Sequence, residues 1–399
     1  MLSGQNIVCF SPDPSWNHLW RNRHQMMTRL ARRNKVLFVE PTPYLRPVVA
    51  QGPRAWLRST FYSPTPNLWV YRSPNRYPIS GKPPLRDLTF ALRKRHLRRV
   101  LARLGMENPI LWVFRYDLGE MIGHLDEKLL IYHAVDEYTA YVPPHGSHAA
   151  THQRILQMER AIMQQADLVF VTSHTLLENK RPYNENIFFV PNGVDYEHFA
   201  APPANLPPDA AAIPGPRIGY AGAINEKLDI DLLIAIARAR PDWNLLLIGP
   251  ILFKQPDALA ELQAFPNVHF LGRKEVDELP AYMHACDALL MPYAHNRWTE
   301  NINPLKLYEY LATGRPIVST DIPAVRDFHD VLHIEDNVEA FIHAIHQALE
   351  ETDPGKREKR RAVARQNTWD QRIATISSVI QGFLDETTIR PDSPQNVIA

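Results

Sequence analysis

The sequence predicts an α/β protein with two doubly wound sheets, and three observations lead to this prediction. Short apolar runs alternate with longer stretches whose apolar residues recur at helical spacing, a pattern typical of parallel strands covered by helices. This alternation occurs twice along the chain, and the proline-rich segment 201–216 lies between the two sets. With 399 residues, the chain is long enough for two domains.

The first set of elements opens with a strand, a helix and a second strand, which together form a parallel βαβ unit. No G-x-G-x-x-G or P-loop motif follows its first strand. We predict strands at 7–10, 36–40, 67–72, 109–114, 129–138, 167–173 and 187–195, and helices at 21–34, 85–105 and 154–166.

The second set repeats the pattern after the linker. We predict a last helix that begins at Thr368-Trp369 and a disordered tail after Thr388. The remaining predictions are strands at 217–224, 244–250, 267–272, 287–293 and from 316 onward, and helices at 229–240, 276–286, 303–312 and 335–366.

In the second set, the segment 303–323, NPLKLYEYLATGRPIVSTDIP, is predicted to form a helix, a tight turn and a buried strand. Pro304 is tolerated in the first turn of a helix, and Gly314 suits the left-handed position that ends it. The free amides of this helix start, near Asn303 to Lys306, form an anion site. Glu309, about one turn further on, is placed to accept hydrogen bonds from sugar hydroxyls. The alternative is that Glu309 is a solvated helix residue.

Composition favours an ordinary globular protein, with 45% hydrophobic and 22% charged residues. The apolar runs are too short to span a bilayer, and the first residues lack the pattern of a signal peptide. Cys9 and Cys286 lie far apart in apolar contexts, which favours reduced cysteines and a cytoplasmic protein. Residues 1–200 carry 25 Lys and Arg against 16 Asp and Glu, whereas the remainder is acidic, so the two halves present different electrostatic fields, as expected if one of them faces an anionic partner.

The predicted helix 85–105 is strongly basic. Its cations are either solvated on a surface helix or a dock for anionic lipid headgroups, and the sequence leaves both interpretations open. The apolar face predicted to pack on the sheet consists of Leu85, Leu88, Leu92, Val100, Leu101 and Leu104.

Two segments resemble the family-4 retaining glycosyltransferases. PLKLYEYLATGRPIVST is similar to their nucleotide-sugar signature, and in particular to that of the teichuronic-acid-type branch. The second of the two signature glutamates corresponds to Glu309, whereas the first falls on Asn301, beside Glu300. The second match is PNGVD at 191–195, followed by Phe199.

The resemblance implies the GT-B fold, with two Rossmann-like domains facing across a cleft and a C-terminal helix returning to the first domain. The implied boundaries are 1–200 with helix 369–386 for an acceptor domain, 201–216 for the linker, and 217–368 for a nucleotide-sugar-binding domain.

The resemblance also implies transfer of a sugar from a nucleotide-diphosphate sugar to a glycan or lipid-linked acceptor in cell-envelope polysaccharide synthesis, with retention and without a metal or other cofactor. We expect a cytoplasmic enzyme, peripheral to the inner membrane face if helix 85–105 binds lipid, and no nucleic-acid partner. The catalytic candidates are His133, Asp136, Lys227 and Glu309; the donor-binding candidates are Gly222, Ala223, Arg273, Asn301, Asn303, Pro304, Leu305, Lys306 and Glu309; and the acceptor-binding candidates are Trp16, Asn17, Arg115 and Tyr116. The loop that holds Trp16 and Asn17 either contributes His18 and Arg21 or Arg23 to the acceptor site as well, or merely packs.

Several candidates also have a structural explanation. His133 and Asp136 stand where a strand runs into a loop, the usual position for ligands, but a single histidine there is more often a structural hydrogen bonder. Lys227 is alternatively a surface lysine. Asp229-Ile230-Asp231 fits a D-x-D metal motif, yet acidic residues at a helix start simply complement the dipole.

Two rival functions remain at this stage. One is a nucleotide-sugar epimerase of the same fold, which would turn over its donor without an acceptor. The other is a degenerate scaffold or glycan-binding protein, and Asn301 in place of the first glutamate is the feature that supports it.

Overall fold

A computed structural model of the chain describes residues 1–18, 20–253 and 259–389, and the chain divides into two compact units. The first unit comprises residues 1–171 and 177–190 together with the chain from residue 370. The second comprises residues 172–176 and 191–369. Each unit is built on its own mostly parallel sheet, as the sequence predicts.

The sheet of the first unit has eight strands in the order β3-β4-β2-β1-β5-β6-β7-β8. All neighbours are parallel except β3, which pairs antiparallel with β4 at the edge. The central strands are buried on both faces, which explains their continuous apolar runs. The strands are β1 (Asn6–Phe10), β2 (Lys35–Val39), β3 (Thr60–Thr65), β4 (Leu68–Arg72), β5 (Ile110–Val113), β6 (Leu129–Ala134), β7 (Leu168–Val171) and β8 (Ile187–Phe189).

The sheet of the second unit has six parallel strands in the order β11-β10-β9-β12-β13-β14. The chain moves outward from β9 to β11 and then crosses to β12 on the other side. The strands are β9 (Arg217–Ala221), β10 (Asn244–Ile248), β11 (Val268–Gly272), β12 (Ala288–Met291), β13 (Ile317–Ser319) and β14 (His333–Ile334).

Fourteen α-helices occur in the described ranges, together with several short 3-10 helices. Local signals set several of their ends: Asp229 caps α8 by accepting the amide of Leu232 at 2.9 Å, and Gly314 ends α11 in the left-handed region at φ +75°. The helices are α1 (Asn22–Leu30), α2 (Leu45–Ala50), α3 (Leu85–Leu104), α4 (Ala149–Gln165), α5 (His174–Lys180), α6 (Tyr196–Ala200), α7 (Pro208–Ala211), α8 (Ile230–Ala239), α9 (Ala260–Gln263), α10 (Leu279–Ala285), α11 (Leu305–Thr313), α12 (Val338–Leu349), α13 (Pro354–Arg365) and α14 (Trp369–Ile389).

The C-terminal helix belongs mainly to the first unit, as the resemblance implies. Asp370 forms ion pairs with Arg29 at 3.3 Å and with Arg32 at 2.8 Å, next to α1. Ile376 and Ile380, further along α14, are fully buried. Most of the tail that we predict to be disordered lies outside the described residues.

The boundary between the units lies before the predicted one. Residues 191–200 group with the second unit because Val194 and Phe199 pack into its core. The predicted linker is also partly packed there: it contains the short helix α7, and Ala210 and Ile213 join the same core. A segment that looks like a semi-rigid connection by composition is therefore held in place by its few apolar residues.

The orientation of α3 differs from the prediction in its first turns. Thr89, Arg93 and Leu97 are buried, whereas Leu85 and Leu88 are 41% and 58% exposed. Arg93 can be buried because its guanidinium pairs with Glu120 at 2.9 Å and donates to the carbonyl of Pro78 at 2.9 Å. Across the described ranges, no helix combines the length and the apolar character that a membrane crossing requires.

Candidate functional sites

The carboxyl edge of the second sheet carries a cluster of residues at the point where the strand order reverses, between β9 and β12. In open α/β sheets this is where ligands bind. Two glycines end adjacent strands there: Gly222 after β9 and Gly249 after β10, at φ +155° and +152°. The amide of Gly222 donates to the carbonyl of Ile248 at 2.7 Å. A Cβ on Gly249 would lie 2.0 Å from the carbonyl oxygen of Gly222, so no side chain fits between the two strand ends.

Lys306 lies directly across this glycine turn. A Cβ on Gly222 would lie 2.0 Å from Cε and 2.1 Å from Nζ of Lys306. The ammonium is 5.2 Å from the ring centroid of Tyr220, which is a cation–π contact. Gly222 therefore makes room for the lysine side chain, which reaches from the first turn of α11 over the end of β9.

Lys227 is the second cation of this cluster. Its ammonium lies 4.8 Å from the ring centroid of Trp298, and its carbonyl accepts the amide of Ala294 at 2.8 Å. Burial lowers the pKa of Lys306 to about 8, and the positive charge of Lys227 adds to this effect. The two predicted phosphate-binding lysines are thus brought close enough to repel each other. An anion between them would relieve this repulsion.

Glu309 stands one helical turn after Lys306 and is half-buried. Burial raises the pKa of its carboxyl group to about 7, although the charges of Lys306 and His198 oppose the shift. Such a pair of shifted groups of opposite charge in a ligand-binding position is typical of a functional site. The interpretation of Glu309 as a solvated surface residue does not fit this burial.

The loop before α11 is held by asparagines. The backbone carbonyl of Asn303 accepts the side-chain amide of Asn192 at 2.6 Å, and its side-chain oxygen accepts the backbone amide of Asn192 at 2.8 Å. These bonds join the PNGVD segment to the start of α11. Pro304 is the capping residue of the helix, and Leu305 is its first residue.

Asn301 serves a structural role in this loop. It is 4% exposed, its side-chain amide donates to the carbonyl of Arg297 at 2.8 Å, and its own carbonyl accepts the hydroxyl of Ser173 at 2.8 Å. The position that carries a glutamate in the family signature is therefore used here to shape the loop. Nothing in the structure tests donor binding by Asn301, which stays a prediction.

Two other donor-site candidates lie at the ends of β9 and β11. The carbonyl of Ala223 accepts the hydroxyl of Tyr220 at 3.0 Å, which fixes the turn after Gly222. Arg273 follows β11 and is 44% exposed, with Glu275 at 3.5 Å. Arg273 is available at the surface, but no distance places it within the lysine cluster.

Sequence reasoning missed Gly249, Tyr220, Trp298 and His198. Gly249 follows the apolar strand NLLLI just as Gly222 follows its own strand, so a search for glycines at successive strand ends would have found it. Tyr220 and Trp298 resemble ordinary core aromatics in sequence. Nothing in the sequence indicates that lysines lie over their rings.

The first unit has a cavity of about 370 Å³ at the carboxyl ends of β1, β5 and β6. Its walls combine cationic, acidic and aromatic side chains, and Arg115, Tyr116 and Asp136 are among them, as predicted. The cavity is lined by Pro12, Asp13, Pro14, His18, Arg21, Arg23, Arg115, Tyr116, Val135, Asp136, Tyr138, Tyr141, Val142 and Ile155.

An ion-pair network forms the floor of this cavity. Arg23 and Asp13 are both 4% exposed and form a bidentate pair, and Arg21 lies 3.4 Å from the same carboxylate. Burial acts to raise the pKa of Asp13, but the hydrogen bonds and charge of Arg23 outweigh it and leave the pKa below its usual value. Arg115 is paired with Asp117 at 2.5 Å. Asp136 hydrogen-bonds Tyr141.

His133 does not reach the cavity. It lies in β6 among the rings of Trp112, Phe114 and Phe170, with the ring centroid of Phe114 5.0 Å away, and both of its ring nitrogens are buried without a hydrogen-bond partner. Burial lowers its pKa to about 3, so the imidazole is neutral at physiological pH. The structure thus corrects the catalytic prediction for His133 and places it in the core.

The loop after β1 also differs from the prediction. Trp16 is 5% exposed and packs edge-on against Phe38 and Trp20, so it belongs to the core. Asn17 is exposed and hydrogen-bonds the Tyr62 hydroxyl. Neither residue lines the cavity. His18, Arg21 and Arg23, which the sequence also indicates as acceptor contacts of this loop, do line the cavity.

Comparisons with known proteins agree with this arrangement. Residues 215–351 match the family model described as Glycosyl transferases group 1. Over 228 residues, 54% of this chain, the sequence is 32% identical to the putative teichuronic acid biosynthesis glycosyltransferase TuaH of Bacillus subtilis (strain 168). That match spans 57% of the length of the Bacillus protein.

Solved structures show the same fold. Sucrose-phosphate synthase from Thermosynechococcus elongatus superposes with a TM-score of 0.69 at 16% identity, covering 96% of this chain and 100% of its own. Anabaena HepE in complex with UDP and glucose gives a TM-score of 0.66 at 17% identity, covering 94% of this chain and 99% of its own. HepE has also been solved with UDP-glucose. These likenesses confirm the predicted GT-B fold class.

Proposed function

We propose that this chain, whose second unit contains a group 1 glycosyltransferase domain within a GT-B fold, transfers a sugar from a nucleotide-diphosphate sugar to a cell-envelope glycan acceptor. The observation that carries the proposal is the pair of ammonium groups, Lys227 and Lys306, beside the glycine turn at Gly222. The activity is that of a glycosyltransferase with a hexose-type donor. Retention of configuration and independence of a metal are part of the proposal and rest on the family resemblance.

The donor site follows from the geometry of the second unit. The diphosphate binds at the N-terminus of α11, where backbone amides and the two ammonium groups favour negative charge. Gly222 and Gly249 let the ligand approach the backbone closely, and Glu309 accepts hydrogen bonds from sugar hydroxyls. Because HepE was solved with UDP and with UDP-glucose, we propose a uridine diphosphate sugar as the donor.

During transfer, the bond between the sugar's anomeric carbon and the diphosphate breaks, the acceptor hydroxyl oxygen bonds to that carbon, and the hydroxyl proton passes to the departing diphosphate. Negative charge grows on this leaving group as the bond breaks. Lys227 and Lys306 stabilise this charge in a partly buried site, where such stabilisation is a large contribution to catalysis. The first unit supplies the acceptor site, and Asp136 is the group we propose to orient the acceptor hydroxyl.

We also propose that the enzyme acts in the cytoplasm at the inner face of the membrane. A lipid-linked glycan acceptor would be presented there, and α3 supplies the cations for peripheral contact with anionic lipid.

The first prediction concerns donor binding. In a thermal-shift panel of nucleotide sugars, a uridine diphosphate sugar at about 100 times its Kd should stabilise the protein by about 2.7 kcal/mol. Gly222→Ala should abolish the shift, because the new Cβ overlaps Lys306. Gly81→Ala is the matched control, since a Cβ there meets nothing within 4 Å.

Three outcomes would contradict the proposal. If no nucleotide sugar shifts the unfolding temperature, the second unit is not a donor site. If Gly222→Ala binds like the wild type, the diphosphate does not lie at this turn. If the bound donor is interconverted without any acceptor, the enzyme is an epimerase and not a transferase.

A further inference from the structure

One stretch of the first unit has an unusual charge composition. Residues 41–106 contain 13 Lys and Arg but a single carboxylate, Asp87, and that carboxylate is paired with Arg86 at 2.9 Å. Ten of the cations are exposed; Arg86 is paired with Asp87 and Arg98 with Asp126 at 2.8 Å, and the other eight form no ion pair within the described ranges. The exposed cations are Arg46, Arg54, Arg58, Arg76, Lys82, Arg86, Arg95, Arg98, Arg99 and Arg103.

The same stretch is rich in exposed apolar side chains. Of the 14 large hydrophobic residues that are exposed in the described ranges, seven fall between residues 44 and 88. Leu57 is the most exposed of them at 81%. Clustered exposed apolar side chains indicate an interaction surface, whereas isolated ones do not. The seven residues are Tyr44, Val49, Leu57, Phe61, Tyr62, Leu85 and Leu88.

On α3, the two kinds of side chain share one face. At 100° per residue, Leu88, Arg95 and Arg99 lie within about 40° of one another and opposite the buried residues of the helix. Leucines occupy this outward face in the N-terminal half and arginines in the C-terminal half. Within the described ranges, Arg95, Arg99 and Arg103 form no ion pair, so protein carboxylates do not neutralise them.

The other apolar residues lie on elements that contact the same backbone segment as α3, residues 75–79. Arg93 of α3 donates to the carbonyl of Pro78, and Ile79 pairs with Tyr44 at the start of α2. Asn75 donates to the carbonyl of Ala55 in the turn Pro53–Leu57. The strip 75–79 therefore connects α2, this turn and α3 into one neighbourhood.

We infer that this neighbourhood, residues 44–62 together with the outward face of α3, is a membrane-insertion surface for an anionic bilayer. The leucines and aromatic rings enter the boundary between headgroups and acyl chains, and the arginines bind lipid phosphates. Purely electrostatic contact with a membrane would need only the cations. What this inference adds is the insertion of the exposed leucines into the bilayer. The inference rests on the membrane contact proposed above and is independent of the transferase chemistry.

Vesicle co-sedimentation tests the inference with the full chain. Wild-type protein should bind vesicles of phosphatidylglycerol and phosphatidylcholine, and not vesicles of phosphatidylcholine alone. Arg95→Gln with Arg99→Gln should weaken binding roughly 30-fold at low salt, at about 1 kcal/mol per arginine, and the difference should shrink at high salt. Leu85→Ser with Leu88→Ser should weaken binding about tenfold or more at low and high salt alike.

Matched controls carry the same substitutions in the second unit. Leu206→Ser removes an exposed leucine, and Arg238→Gln with Lys359→Gln removes two exposed cations; both should leave vesicle binding unchanged. Nucleotide-sugar binding should be unchanged in every variant, which shows that they fold and separates this test from the test of the donor site.

Two results would overturn the inference. One is wild-type binding to anionic vesicles that the leucine pair does not affect, which would leave only electrostatic contact. The other is binding to a nucleic acid with the same arginine dependence but no binding to vesicles, which would mean that the cations serve a different polyanion.

Discussion

At the residue scale, Lys306 and Glu309 form the most informative pair in the chain. Both are half-buried, and burial moves their pKa values toward each other, to about 8 and about 7. A diphosphate needs the lysine charged, and sugar hydroxyls need the carboxylate ionised. If both groups bind the donor as proposed, its affinity depends on a charged Lys306 and an ionised Glu309, and these two states coexist only in a narrow pH range.

We predict that affinity for a nucleotide-diphosphate sugar is greatest between about pH 7 and pH 8. Below this range Glu309 takes up a proton, so one of its carboxyl oxygens becomes a donor and its capacity to accept from sugar hydroxyls falls; above it Lys306 loses its charge. Isothermal titration calorimetry between pH 5.5 and pH 9.5 measures this profile, and the diphosphate of a nucleotide sugar does not itself titrate there.

Variants identify the two limbs of the profile. Glu309→Gln should remove the acidic limb, and Lys306→Gln should remove the alkaline one. Because the charge of Lys306 holds the pKa of Glu309 down, the acidic limb in Lys306→Gln should also shift to higher pH. Glu300→Gln, on an exposed neighbour, is the control. A flat profile in the wild type would show that neither group contacts the donor.

The location of a residue could be predicted from sequence where its position in a helix or strand fixes its exposure. The prediction failed where both faces of the sheet are buried. The helix tip at 303–306 and Glu309 could be predicted because a helix start has a defined chemistry. His133 was misplaced because it sits inside a parallel strand. Such a strand is buried on both sides, so a polar residue there is hidden whichever way it points.

At the element scale, a buried ionic network joins β6, α4 and α5 in the first unit. Lys180 lies 2.9 Å from Glu159 and 3.2 Å from Glu137, and the hydroxyl of Tyr132 donates to Glu159 at 2.9 Å. All of these side chains are at most 9% exposed. The two carboxylates therefore depend on a single cation.

We predict that Lys180→Met destabilises the first unit by about 3–5 kcal/mol, because it leaves two buried carboxylates unpaired. Urea unfolding followed by circular dichroism measures the loss. Adding Glu159→Gln to this variant should restore part of the stability, because it removes one of the two buried carboxylates left without a cation. Lys359→Met, at an exposed position, should change stability by less than about 0.5 kcal/mol. An equally small effect at Lys180 would mean that solvent reaches the network.

Elements were recognisable from sequence when their apolar pattern was long and regular. The central strands and α11 fall within a few residues of the predicted bounds. Strand β3 was missed because TFYSPT contains a proline and lies at an exposed edge, where neither a buried run nor a clean alternation is required. The buried face of α3 was misassigned because Leu85 and Leu88 fit the helical spacing of an apolar face. In the structure Thr89 and Arg93 are buried instead, so these two leucines point outward.

At the scale of the whole molecule, the two halves of the chain differ in charge, and we propose a different partner for each unit. The excess of cations counted in the first 200 residues is concentrated in residues 41–106, whereas the donor site that we propose in the second unit contains two lysines, Lys227 and Lys306. The match of residues 215–351 to the group 1 glycosyltransferase model and the 32% identity to TuaH over 228 residues support the resemblance read from residues 303–319. Sequence alone could not show that the chain returns to the first unit after residue 369, because nothing local in an amphipathic helix specifies the surface it packs on.

The return of α14 leads to a prediction about long-range stability. Ile376 is fully buried on this helix, within the first unit although it follows the second in sequence. Ile376→Ala should cost about 2–5 kcal/mol through lost burial and the cavity left behind. Thr375→Ala, on the exposed side of the same turn, should cost little.

Hydrogen exchange can locate the effect: amides of β1 and α1 should exchange faster in Ile376→Ala, while those of β9 and β10 keep their protection. Faster exchange in β9 and β10 with no change in β1 would show that the helix stabilises the second unit instead.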